Sequence, residues 1–167
     1  MRKTLRTATA AALLTTSLIA ATGPAAAAPT PAPMPGNTVV VDVRTTVFLV
    51  SEAPPRTTVY ADGRIVTKAV APGSKLVELR GKPADVADLR AITERVLRNQ
   101  PQYDRKAQIF DGWIVSATVR TTDGAVLKAT VDNPEPRGWP ALSTLPSELD
   151  KRIAAIPGPR TPYTEPR

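Results

Sequence analysis

Residues 83–98 read PADVADLRAITERVLR. Val86, Leu89, Ile92, Val96 and Leu97 recur at spacings of three and four, which gathers them on one side of a helix with 3.6 residues per turn. Pro83 suits the first turn, where its missing N–H would have had no helical partner. Asp85 and Asp88 stand near the amino end and Arg95 and Arg98 toward the other, as the helix dipole favours. Glu94 and Arg98 have the i,i+4 spacing of an ion pair. Asn99-Gln100-Pro101 ends the run. A helix with one apolar side needs an apolar surface to lie on, and most of the remaining chain reads as strand.

The first strand is expected over Thr38 to Val50. Val39, Val41, Val43, Thr45, Val47 and Leu49 alternate with Asp42, Arg44 and Thr46, a period of two rich in branched side chains. Pro54-Pro55 stops it, since neither residue donates to a ladder. Two hairpins follow the same plan. Thr57 to Ala61 returns as Arg64 to Thr67 around Asp62-Gly63, and Trp113 to Thr121 returns as Val126 to Val131 around Asp123-Gly124. Asp-Gly tolerates the positive φ angles of a tight turn whose twist matches its strands. Pro72-Gly73 precedes a short strand, Leu76 to Arg80. Near the end, Ser147 is placed to cap a helix from Glu148 to Ile156, with Asp150 as its capping-box partner. The expected fold is α+β, an antiparallel sheet with one main helix packed on a face and a short C-terminal helix. A wholly β barrel is the alternative, and it requires residues 83–98 to abandon their helical period.

The ends of the chain have a different character. Arg2, Lys3 and Arg6 form a basic start, Leu13, Leu14, Leu18 and Ile19 an apolar centre, and Ala25 to Ala28 a small-residue end. That three-part order predicts a secretory signal peptide over 1–27, and hence a secreted, extracellular product. Residues 28–37 form a Pro/Ala-rich leader, 38–156 a single domain, and 157–167 a Pro-rich tail. Removing 1–27 takes three of the 22 basic residues and none of the 15 acidic ones, leaving a formal charge of +4. No dense Lys/Arg run remains, so nucleic acid is not an expected partner. No stable membrane span is expected after processing.

Composition narrows the chemistry. The chain has no Cys and no His. Disulfides, thiolate nucleophiles, Cys- or His-based metal sites and Ser-His-Asp catalysis are therefore excluded. No cofactor is implied, because phosphate loops, dinucleotide fingerprints and acidic EF-hand loops are absent. The carboxylates Asp62, Glu78, Asp104 and Asp111 would serve a hydrolase only if two faced one cleft. Asp62 already has a duty in its turn, and Asp111 in accepting backbone N–H groups at the entrance to a strand. Ser51, Ser74, Ser116, Ser143 and Ser147 lack an activating arrangement. Among the aromatics, Trp113 reads as core. Trp139, in the rigid stretch from Asn133 to Pro140, either plugs the open end of the sheet or stands as an exposed binding anchor. With Arg137 and Pro136 it makes the candidate binding surface.

Three pieces together carry a resemblance: Tyr60-Ala61-Asp62-Gly63-Arg64-Ile65-Val66, the helix from Pro83 to Leu97, and Asp111 ahead of the Trp113-to-Val131 hairpin. In this the chain resembles a broad group of small secreted and lipid-anchored proteins of actinomycetes with no assigned activity. The resemblance spans most of residues 57–131. It implies a bacterial envelope or extracellular setting and assigns no catalytic residue. The chain departs from the lipid-anchored members in having no Cys after the signal, which argues for release.

The expected function is a non-enzymatic binding or interaction domain whose partner is a secreted protein or a cell-wall component. Two other readings stand beside it. A carrier of a small apolar ligand requires a pocket near Phe110, Trp113 or the stripe Leu89–Ile92–Val96. A carboxylate-based hydrolase requires the paired acids described above.

Overall fold

A computed structural model describes residues 34–47, 55–68, 75–101 and 112–164. Among these residues the chain forms seven strands and two helices. In chain order they are β1 (Val39–Val47), β2 (Arg56–Tyr60), β3 (Arg64–Lys68), β4 (Val77–Arg80), α1 (Pro83–Arg98), β5 (Trp113–Arg120), β6 (Val126–Asp132), α2 (Pro140–Ala155) and β7 (Thr161–Pro162). All strands join one antiparallel sheet in the order β6-β5-β1-β2-β3-β4-β7. The fold is α+β, with both helices packed on the sheet. Phe48 and Leu49, expected in the first strand, lie outside the described residues.

The register explains where the core sits. Leu127, Val119, Val41, Val59, Ile65 and Leu79 lie opposite one another on six successive strands and form an apolar row. α1 lies over β5, β6 and β1, and α2 beside it over β1 and β2. Val86, Leu89, Ile92 and Leu97 of α1 are buried, as their spacing requires, and Val96 is half-buried. Thr93 shares the buried side because its hydroxyl donates to the Leu89 carbonyl (2.9 Å), so no polar group is left bare. Arg98 meets Glu94 at 2.7 Å. The Asp85 carboxylate accepts the Lys82 backbone N–H (2.6 Å) and closes the amino end.

Four local features differ from the sequence expectations. Val39 faces Tyr60 while Val41 faces Val59, so Val40 is an extra residue that bulges from β1 and turns inward. The bulge interrupts the alternation and leaves Val39 exposed. Both hairpins use three-residue loops, closed by Gly63 N–H to the Tyr60 carbonyl (3.2 Å) and Gly124 N–H to the Thr121 carbonyl (3.1 Å). Only the glycine of each turn takes a positive φ, +91° at Gly63. That is the bulged three-residue turn, not one needing two positive angles.

The third difference is α2, which starts at Pro140 and not at Ser147. Ser147 is therefore no cap: it lies inside the helix, with its hydroxyl donating to the Thr144 carbonyl (2.8 Å). Pro146 is interior to the helix, where proline costs about 3 kcal/mol. Leu142 and Leu145, both ahead of Pro146, are fully buried and together stabilise by about 3–6 kcal/mol. Burial wins. Fourth, the Pro-rich tail joins the fold. Arg160 donates to the Ile153 and Ala154 carbonyls (3.0 and 3.2 Å) at the end of α2. Thr161–Pro162 then pairs with Val77 and Glu78 as the edge strand β7.

Candidate functional site

Because the side chains of a strand alternate, the sheet has a second face, and among the described residues neither helix covers it. Lys128, Thr118, Asp42, Thr58, Val66, Glu78 and Thr161 cross all seven strands in one row on that face. Beside this row Arg44 of β1 stands directly opposite Arg56 of β2. Like charges placed opposite each other across strands destabilise a sheet. Asp42 offsets part of this, accepting from the Thr58 hydroxyl (2.8 Å) and the Arg44 Nε (3.0 Å).

These groups wall an open hollow of about 600 Å³, whose lining includes Arg44, Arg56 and Lys128, the single carboxylate Asp42, and Tyr60 and Tyr163. They come from four stretches of chain: Asp42 and Arg44 from β1, Arg56 and Tyr60 from β2, Lys128 from β6, and Tyr163 from beyond β7. Tyr163 follows β7 and is positioned by its N–H donating to the Leu76 carbonyl (3.0 Å). The Arg64 guanidinium lies 3.9 Å over the Tyr60 ring, a cation–π contact that restrains both side chains. Arg80 approaches the Asp62 carboxylate at 3.7 Å. The hollow is cationic, aromatic-walled and open to water. Among the described residues that line it, Asp42 is the only acid, so no pair of acids is set there for general acid–base work.

The residues singled out from sequence are dispersed. Trp139 is 1 % exposed and Arg137 7 %, whereas Pro136 is exposed. Trp139 belongs to the apolar core with Leu142 and Leu145, so it plugs the sheet and does not stand as an anchor. Trp113, expected in the core, is 36 % exposed. It opens β5 opposite Val47, at an end of the sheet where Val47 is exposed too. Asp62 occupies its turn and accepts the Arg64 backbone N–H (3.0 Å), and Glu78 sits on β4. Asp104, Asp111, Phe110, Tyr103, Ser51 and Ser74 lie outside the described residues. Among the described residues no three acids cluster in a way that would hold a metal ion, and no helix is long and apolar enough to cross a membrane. Of the stripe Leu89–Ile92–Val96, Leu89 is closed against the core and Val96 is half-buried, while Ile92 borders the groove between the helices, about 480 Å³, whose other walls are mostly polar, with Arg95, Glu148, Lys151 and Arg152.

Arg137 has a structural duty. Its Nε donates to the Asp132 carbonyl (2.8 Å) and its Nη2 meets the Asp132 carboxylate (2.5 Å). That hydrogen bond holds the Asp132 carboxyl below the ordinary carboxylate value, against a smaller opposing effect of desolvation. A lowered folded-state value means stability that is present above the unfolded value and lost as pH falls through the folded one. Asp132→Asn is therefore expected to lower stability at pH 7 and to flatten its decline between about pH 5 and pH 2. Urea denaturation across that range checks it, and an unchanged acid limb would refute the pairing.

No family model, curated protein or solved structure matches the chain.

Proposed function

We propose that the chain is an exported, non-enzymatic binding module whose open sheet face receives an acidic protein. The observation that carries this reading is the hollow itself, with Arg44, Arg56 and Lys128 gathered around one carboxylate already engaged by two neighbours. Arg44 and Arg56 stand directly opposite each other on neighbouring strands, so their positive potentials add over the hollow and favour a negatively charged partner. Arginine and tyrosine are also the side chains that contribute most to protein interfaces. The basic start and apolar centre of residues 1–27 support export.

The test uses two probes, poly-L-glutamate and inorganic polyphosphate, titrated against the domain at low and high salt. Poly-L-glutamate is expected to bind, weakening with salt. Arg44→Glu combined with Lys128→Glu should reduce that binding by about tenfold or more with the fold intact by circular dichroism. Binding indifferent to the double variant would overturn the site. Tighter binding of polyphosphate would overturn the protein partner in favour of a wall polyanion.

A further inference from the structure

The two edges of the sheet are unlike. β7 is two residues long and contains Pro162, and short proline-bearing edges resist pairing with other chains. β6, at the opposite edge, has seven residues, no proline and an unbroken register with β5. Its hydrogen-bonding phase follows from the bonds at its two ends. Thr121 N–H donates to the Ala125 carbonyl (2.9 Å) and Asn133 N–H to the Trp113 carbonyl (2.7 Å). Bonded pairs in an antiparallel ladder alternate, so Leu127, Ala129 and Val131 turn their backbone groups toward β5. Val126, Lys128, Thr130 and Asp132 turn theirs away from the sheet. The Asp132 carbonyl is taken by Arg137 (2.8 Å). None of the hydrogen bonds among the described residues uses the N–H or carbonyl groups of Val126, Lys128 or Thr130.

We propose that an extended segment of the acidic partner adds to β6 as a further strand, bonding to the outward backbone groups of Val126, Lys128 and Thr130. The acidic character of that segment rests on the reading of the open face, while the backbone docking rests on the edge alone. On the open-face side, Lys128 and Arg120 wall a hollow of about 280 Å³ beside the edge, with Val126 and Thr118. Carboxylates at alternate positions of an added strand meet those two cations. On the other side, half-buried Leu127 and Ala129 continue the apolar row beneath α1 and receive apolar residues at the intervening positions. A second copy of the chain fits less well. The antiparallel register that bonds all three outward residues sets Lys128 against Lys128, two like charges directly opposed.

The probe is an acetylated nonapeptide alternating valine and glutamate, compared with the same peptide N-methylated at alternate amides. Thr130→Pro removes an outward N–H and leaves the bonds to β5 in place. The parent peptide is expected to bind the full chain and to slow amide exchange at Lys128 and Thr130. N-methylation and Thr130→Pro should each weaken binding by about tenfold or more, while Leu127, Ala129 and Val131 keep their exchange protection. Equal binding of the methylated peptide overturns the edge and leaves the open face standing if Arg44→Glu with Lys128→Glu still weakens poly-L-glutamate. Failure of both probes overturns both readings. A dimer without peptide, abolished by Thr130→Pro in sedimentation, overturns the partner strand in favour of self-pairing. Should Thr130→Pro lose the protection of β6, the methylated peptide alone decides.

Discussion

Trp139→Ala is expected to lower the stability of the domain by about 3–5 kcal/mol, the range for emptying a fully buried indole site. The side chain is 1 % exposed and packs in the same apolar cluster as Leu142, Leu145 and Leu149. Its backbone also starts α2: the carbonyl accepts the Leu142 N–H (3.1 Å) and the N–H donates to the Pro134 carbonyl (2.7 Å). Alanine keeps those bonds, so the loss isolates the side chain. Trp139→Phe should retain more than half of the stabilisation, because the volume it empties is smaller. The chain has two tryptophans. In a Trp113→Phe background, Trp139 emission should be blue-shifted and shielded from acrylamide until unfolding. A loss below about 1 kcal/mol for Trp139→Ala, outside the usual cost of a core cavity, would mean that the indole is not the plug.

Gly112→Ala is expected to cost about 2–4 kcal/mol, combining backbone strain with overpacking. Gly112 has φ +155°, and a Cβ there would fall on the side-chain amide of Asn133. That amide cannot move freely. Its Oδ1 accepts the Trp113 N–H (3.1 Å), and the Asn133 N–H donates to the Trp113 carbonyl (2.7 Å). Asn133 itself takes φ +45°, a conformation that asparagine tolerates better than most residues. Gly112→Ala with Asn133→Gly should recover the steric part and leave the backbone part. The double-mutant cycle should show a coupling of about 1–2 kcal/mol, and strict additivity would place the two residues out of contact.

Much of the architecture is legible in local pattern. The stripe from Val86 to Leu97 and the alternation of β1 and β5 declare their periods within a few turns or pleats of chain. α2 is less legible, because Pro146 and Ser147 together read as a boundary. The local penalty of proline is visible in sequence, whereas the burial of Leu142 and Leu145 that overcomes it exists only once the sheet is assembled. The two tryptophans make the same point. Each follows a glycine, yet Trp139 is enclosed in the core and Trp113 half open at the end of β5.

The candidate site was the least legible part. Asp42 and Arg44 are plainly on the polar side of β1, but Arg56, Lys128 and Tyr163 belong to distant segments, and no spacing links them. The chain alone determined its strand and helix periods, its turns and the lack of Cys and His chemistry, since these depend on neighbouring residues and on composition. Only the tertiary structure decided which strands lie side by side, and so which charges share a face and which edge stays open. Strand order and register are set by contacts between residues far apart in sequence, where the free energy of the whole core selects one pairing among many.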